Sequence, residues 1–299
     1  MPADRTGRSA HRERGIALLV VLWACTLLAI LLGGFATLAR TEATQTRYLS
    51  ARAQLRYIAE AGVMRAMAEI TAKDGGRWKG DGRPYGLSID GERVDVRIVD
   101  ELGKVDINTA DPQVLRNLFV AAGMNAADAT ALADNVHESR DAAGTFNREE
   151  GMQRYAQAGQ AGGPRYSEFN APDELQTVLG MTPALYRKIA PVLTVWSRRP
   201  TPAPAFAPPL ALAALPGMDM ASARRFASTR DAMNPKMPLP VLPNGMPMGN
   251  TRGGNVRTIV ASATGKDGTV SRVSATVRID RVHGRASVSI LRWQEDAAE

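Results

Sequence analysis

The join between Gly15 and Ile16 constrains this chain more than any other feature of it. A basic leader ending His11-Arg12-Glu13-Arg14-Gly15 runs directly into 24 residues, Ile16 to Ala39, that carry no charge. As a helix rising about 1.5 Å per residue, such a run is about 36 Å long, enough to cross a hydrocarbon core of roughly 30 Å. A secretory signal peptide has an apolar region of only about 7–15 residues before its small-residue cleavage site. Thr37-Leu38-Ala39 has the small-residue character, but the run before it is too long. The expectation is a permanent membrane helix over residues 16–39.

The 299 residues are enough for about two domains of roughly 150 residues each. The single cysteine, Cys25, lies inside the apolar run and reads as a small hydrophobe, so a disulfide framework and a cysteine zinc cluster are both excluded. The net charge of +7 is scattered, which is the mark of solvated faces, whereas a nucleic-acid footprint gathers its charge on one element. Charge does not orient the helix either. Arg5, Arg8, Arg12 and Arg14 precede it, and Arg40, Arg47, Arg52 and Arg56 follow it, so the two sides tie on the positive-inside rule.

Beyond Arg40 the helical pattern continues. Tyr48, Ala51, Leu55, Ile58, Gly62, Ala66 and Ile70 recur at three- and four-residue steps, with no proline before residue 72. The spacing predicts one helix over 16–72, ended by Lys73-Asp74-Gly75-Gly76. Val94, Val96 and Ile98 alternate with Arg93, Asp95 and Arg97, which predicts a half-buried strand, and a second short strand is expected through Lys104–Ile107. Residues 108–232 read as an inserted helical domain of three similar hairpins. Their turns are Ala122-Gly123-Met124-Asn125, Leu179-Gly180-Met181-Thr182 and Leu215-Pro216-Gly217-Met218-Asp219. Each Gly is expected in a left-handed position closing a helix, with the following Met making the apolar contact. Asp111 and Asn170 are the expected starts of the first two hairpins.

Two proline-rich stretches, Pro200–Pro209 and Pro235–Pro247, read as extended connectors, the second within a linker over 233–254. Strands are then expected over Val256–Val260, Val270–Ile279 and Ala286–Trp293, with turns at Gly265-Lys266-Asp267-Gly268 and His283-Gly284. Residues 73–107 and 255–296 together would make one small antiparallel sheet. The fold class is α+β.

No catalytic constellation is legible, and the expectation is a protein that is not an enzyme. His11, His137 and His283 have no partners at metal-ligand spacing. There is no phosphate-binding glycine loop and no nucleophile elbow. Asp141, Glu149 and Glu150 form the one acidic cluster that could hold calcium, against the plainer reading of a solvated loop.

A leader ending Arg14-Gly15 followed by Ile-Ala-Leu-Leu-Val-Val-Leu resembles the class III signal of type IV pilins and type II secretion pseudopilins. The resemblance implies cleavage after Gly15 by a prepilin peptidase, methylation of the new amino terminus at Ile16, and an inner-membrane, single-pass topology with the N-terminus cytoplasmic and the bulk of the chain periplasmic. It also implies the pilin-like fold, a long N-terminal helix laid on the small sheet. Most pilins carry Glu at the fifth mature position, and here that residue is Val20. A carboxylate at that depth costs about 2.5–3.5 kcal/mol on insertion scales. A subunit at the tip of a fibre has no neighbour above it to pair with one.

Loss of this Glu resembles the minor pseudopilin K family of the general (type II) secretion pathway. So do Asp100-Glu-Leu-Gly-Lys-Val-Asp-Ile-Asn-Thr-Ala110, the run Asp173–Tyr186, and Ala190-Pro191. The family implies a tip complex with pseudopilins I and J, followed by H and the major pseudopilin G. It also implies contact with the inner-membrane secretion platform and with exoprotein substrates, and no nucleic acid. Calcium is associated with soluble domains of the family, but no ligand here matches a motif for it.

Ile107-Asn108-Thr109-Ala110, followed by a helix and a Gly turn, also resembles the helix-hairpin-helix domain of membrane-anchored competence DNA receptors. Such hairpins place two glycines in the turn so that backbone N–H groups reach phosphate. Asn125, Thr182 and Asp219 stand where the second glycine belongs. Over residues 106–141, Arg116 and Arg140 face six carboxylates, a balance that repels phosphate.

Overall fold

A computed structural model describes residues 10–72, 78–160, 162–232, 241–243, 245, 247–248, 253–282 and 285–296. The chain divides into two compact units, Met1–Leu55 and Arg56–Glu299. Helix α1 spans Ala10–Thr71, so the leader residues it includes are helical as well. The expected stop at Lys73-Asp74-Gly75-Gly76 falls outside the described residues.

In the first unit, residues 18–42 all expose their side chains, including Leu19, Trp23, Leu28, Leu31 and Phe35. This is the stretch whose mean hydropathy reaches 2.6, long and apolar enough to cross a membrane.

In the second unit, α1 contributes Ile58, Ala59, Val63, Ala66, Met67 and Ile70 to the core. Arg65 and Glu69 pair at 2.6 Å on the wet side, one turn apart. The helix crosses the sheet at Gly62, where an added Cβ would lie 2.8 Å from Val94 Cγ1 and 3.2 Å from Ala261 Cβ. Only a residue without a side chain lets the two backbones come so close.

Strand β1 (Asp81–Ile89) pairs antiparallel with β2 (Glu92–Asp100) through the two-residue turn Asp90-Gly91, both with positive φ. Gly82, Pro84 and Gly86 break the alternation of β1, so only its Asp-Gly turn was there to announce it. Pro84 is tolerated because β1 is an edge strand with an irregularity between Asp81 and Pro84. β2 buries Val94, Val96 and Ile98 fully.

The expected second strand exists only as β3 (Val105–Asp106), and it is not part of the main sheet. The helical region follows with α2 (Pro112–Ala121), α3 (Ala126–Ser139), α4 (Arg148–Gln157) and α5 (Pro183–Ile189). Then comes β4 (Leu193–Thr194), which pairs in parallel with β3, and after it α6 (Pro209–Ala213) and α7 (Met220–Asp231). The helical core includes Leu115, Leu118, Phe119, Leu132, Val136, Leu175, Ile189, Leu212 and Phe226. The stretch Pro200–Pro209 is no extended connector. Ala203, Ala205 and Ala207 are buried, and Ala203 N–H donates to Leu102 O at 2.7 Å. Its prolines alternate with small residues that fit between the insertion core and the end of β2.

The meander β5 (Val256–Thr264), β6 (Val270–Val282) and β7 (Arg285–Asp296) completes a five-stranded sheet in the order β1-β2-β5-β6-β7. All its pairings are antiparallel. The strands run longer than the alternation alone indicated. The turn at 265–268 is closed by Gly265 N–H to Thr269 O, and the turn at His283-Gly284 lies outside the described residues.

Replacing Gly62 with Leu should overpack the helix–sheet contact and cost about 1–3 kcal/mol, whereas Ala68→Leu on the exposed face should change stability by less than about 0.5 kcal/mol. Thermal unfolding of the two variants beside the parent checks this.

Candidate interaction site

The segment Asp106-Ile-Asn-Thr-Ala110 is where the insertion is locked. Asp106 accepts from the N–H of Asn108 at 2.9 Å and of Arg198 at 2.8 Å, ninety-two residues away. Asn108 makes a reciprocal pair with Phe169, donating from Nδ2 to its carbonyl at 2.9 Å and accepting from its N–H at 2.8 Å. Thr109 Oγ1 donates to Arg199 O at 2.9 Å. The Arg140 guanidinium, at the end of α3, donates to Ile107 O at 3.0 Å and Ala110 O at 2.7 Å. Burial works against its charge, and Asp106 and Asp111 compensate. Every polar side chain of the motif is committed to holding backbone that is distant in sequence.

A second cluster joins the insertion to the sheet. Asp100, wholly buried at the end of β2, accepts from Leu102 N–H at 3.0 Å and from Gly254 N–H at 2.7 Å, with Arg257 Nε 3.7 Å away. Burial pushes its carboxyl above the ordinary carboxylate value, against the two N–H groups and Arg257. Glu101, also buried, takes Lys104 Nζ and Thr258 Oγ1, each at 2.6 Å. Across the same junction Asp173 accepts from Tyr186 OH at 2.5 Å and pairs with Arg292 of β7 at 2.6 Å. Burial, then this hydrogen bond, raises the Tyr186 phenol well above its ordinary value of 10.0.

The three hairpins share a left-handed glycine, with φ of 104° at Gly123, 90° at Gly180 and 73° at Gly217. The hydrogen bonding is not repeated. Gly123 N–H reaches Val120 O and Met124 N–H reaches Phe119 O, the paired pattern that closes a full α-helix. Met181 N–H and Met218 N–H instead bond only three residues back, because a 3-10 turn (Pro172–Thr177) and the five-residue α6 precede them. Met124, Met181 and Met218 all pack on the core as expected.

Asn125, Thr182 and Asp219 are N-caps. Their side chains accept from Asp128, Leu185 and Ser222 N–H at 2.9, 3.2 and 2.6 Å. One N–H at the start of each of these helices is therefore taken by the chain itself. Asp111 is the N-cap residue of α2 as expected, though its side chain makes no cap bond, and the second hairpin begins after Ala171, not at Asn170.

The acidic loop does not converge on a common point. Asp141 accepts from Phe146 N–H at 3.0 Å, which, ahead of the Thr145 bonds, holds its carboxyl below the usual range. Glu150 takes Asn147 Nδ2 at 2.9 Å. Among the described residues no group of three or more His, Cys, Asp or Glu could hold a metal ion. His137 lies edge-on to Phe146, 5.4 Å between ring centres. The side chain of His11 and all of His283 are outside the described residues, as is the side chain of Ile16 beside Gly15. Val20 lies exposed on α1 between Leu19 and Val21, and Cys25 is exposed on the same helix. The roles of Arg140, Asp100, Glu101 and Arg292 were not foreseen. Isolated charged residues give no spacing signal, since each acts on a partner far away in sequence.

A long N-terminal helix set on a small antiparallel sheet, with a helical insertion between its strands, makes this an α+β, pilin-like protein. Residues 95–198 match the family described as "Type II secretion system (T2SS), protein K", the family that the resemblance implied. A chain of "The Crystal Structure of the GspK-GspI-GspJ complex from enterotoxigenic Escherichia coli Type 2 Secretion System" has the same fold. The TM-score is 0.54 at 14% identity, covering 85% of this chain and 100% of that one. No curated protein matches by sequence.

Replacing Asn108 with Ala leaves the Phe169 backbone unpaired and should cost about 2–3 kcal/mol, measured by denaturant unfolding. Tyr186→Phe should cost about 1–2 kcal/mol at neutral pH. Because the folded phenol is raised, its contribution is complete below pH 10.0 and is lost as pH climbs through the folded value. The alkaline fall in stability of the parent should be shallower in Tyr186→Phe, as a pH series of melting temperatures reads directly.

Proposed function

We propose that this protein sits at the tip of a periplasmic type II secretion pseudopilus with pseudopilins I and J and starts its assembly, so that folded proteins are exported across the outer membrane. The observation that carries this reading is one chain joining a protein K domain to an apolar helix with Val20 at the fifth mature position. A carboxylate there serves a subunit that must meet the terminus of a neighbour above it, and a foremost subunit has no such neighbour. The GspK-GspI-GspJ complex is the precedent for the two partners.

In this reading prepilin peptidase cuts after Gly15 at the cytoplasmic face and Ile16 becomes the methylated amino terminus. Residues 16–39 hold the protein in the inner membrane with the bulk of the chain periplasmic. H, the major pseudopilin G, the inner-membrane platform and the exoproteins are the remaining partners. Work is done by association, as apolar helices pack where the small residues Ala24, Ala29, Gly33 and Gly34 allow close approach. An added Cβ at Gly33 or Gly34 would meet nothing within 4 Å, so both positions are open to a neighbour.

Changing Gly15 to Leu should leave the precursor uncut. Intact mass of the membrane-extracted protein should then retain the first fifteen residues, while the parent begins at methylated Ile16. The chain from Arg40 onward should co-purify with the soluble parts of pseudopilins I and J as a ternary complex. Secretion at the normal rate by cells holding only the uncut Gly15→Leu form, or failure of the three to associate, would overturn the proposal.

A further inference from the structure

The insertion carries a groove between α2 and the turn joining α6 to α7, with a volume of about 410 Å³. Its wall is mostly apolar, made by Val120, Ala213, Met218 and Met220, with Asn117 and Arg116 on the α2 side. Val120 is 43% exposed although it sits in an α-helix of the core, and Met218 and Met220 are only partly covered. Methionine side chains are unbranched and polarisable and adapt to varied apolar partners, which suits them to a binding surface better than to a fixed core.

Arg116 sets this groove apart. The residue is half-buried, its Nε is shut off from solvent, and among the described residues the guanidinium has no hydrogen-bond or ion-pair partner. The other half-buried arginines of the insertion, Arg140 and Arg230, are spoken for, as are several exposed cations. Arg140 holds Ile107 and Ala110, Arg154 holds Glu138, Arg165 holds Glu174, Arg230 holds Pro204 and Ala207, and Lys188 holds Ala122. The acid at the groove, Asp219, caps α7 through Oδ1 and makes no ion pair with Arg116. The proline-rich stretch following α7, residues 233–252, contains no Asp or Glu and so brings no carboxylate to Arg116. A planar guanidinium with five donors, unpaired beside an apolar trough, is matched by a carboxylate bonded bidentately and flanked by an apolar side chain.

We propose that the α2/α6–α7 groove docks a segment of a partner protein carrying Asp or Glu next to Leu, Ile or Phe, the carboxylate on Arg116 and the apolar side chain against Val120, Met218 and Met220. An unpaired, partly desolvated cation is a cost to the free protein that a bound carboxylate removes. The inference does not depend on the tip position proposed above, because it rests on the insertion alone.

The test uses the full chain in detergent micelles and two fluorescein-labelled peptides. One has the central sequence Asp-Leu-Leu-Glu and the other Asn-Leu-Leu-Gln. Fluorescence anisotropy should give at least about tenfold tighter binding of the acidic peptide, with the advantage gone in Arg116→Gln and largely kept in Arg116→Lys. Val120→Asp should weaken both peptides. Since the free protein bears the unpaired cation, Arg116→Leu should raise its melting temperature by about 2–4 °C while abolishing the preference. Equal binding of the two peptides, no binding of either, or an unchanged preference in Arg116→Gln overturns the proposal. So does a fall in melting temperature in Arg116→Leu, which would show that the arginine is a structural element of the free fold. Both variants that remove charge lie on a helix face without polar partners, so their folding can be confirmed independently by circular dichroism.

Discussion

A buried carboxylate at the end of β2 is the constraint on which the second unit depends. Residues 101–253 leave the sheet and return to it between two strands that are neighbours, β2 and β5. Closing a loop of that size costs only slightly more entropy than closing a shorter one, provided its ends are held together. Asp100 holds them, taking the N–H of Leu102 as the chain departs and of Gly254 as it comes back, in register with Arg257 on β5. The cost is a charge in a dry place. Its raised carboxyl value means this group favours the fold most below the ordinary value of 3.8, and progressively less as pH rises through the folded one. The two N–H groups and Arg257 make the charged form tolerable at neutral pH.

From that clasp the rest of the insertion is positioned by polar staples rather than by packing alone. Glu101 with Lys104 and Thr258 fixes the first turn, Asp106 and Asn108 tie in segments sixty to ninety residues away, and Asp173 with Tyr186 and Arg292 fastens the hairpins to β7. An apolar core fixes which surfaces meet but tolerates sliding, whereas paired donors and acceptors accept one geometry.

The two units present opposite surfaces. The apolar residues of α1 up to Phe35 and Leu38 are bare, with Cys25 and Val20 among them. The insertion hides its apolar residues and leaves the α2/α6–α7 groove as a place where apolar surface and an unpaired cation are both open.

Local pattern was legible in the chain where it is carried by neighbours in sequence. The uncharged run from Ile16, the helical stripe through Ile58, Gly62, Ala66 and Ile70, the alternation in β2 and the meander, and the three Gly-Met turns all have periods of two to four residues, and each was found where expected. β1 escaped because Gly82, Pro84 and Gly86 interrupt its period. Pro200–Pro209 was misread because proline content speaks to chain stiffness and not to what lies against it. β3 was placed in the wrong sheet because two residues cannot say which strand they pair with. What the sequence by itself determined is therefore the apolar helix, the strand and hairpin signals and the protein K resemblance. Only the tertiary structure decided that Asp100 joins the ends of the insertion, that Asn125, Thr182 and Asp219 close their own helices, and that Arg116 stands unpaired. Those facts depend on atoms brought together across tens to hundreds of residues, and no local spacing encodes them.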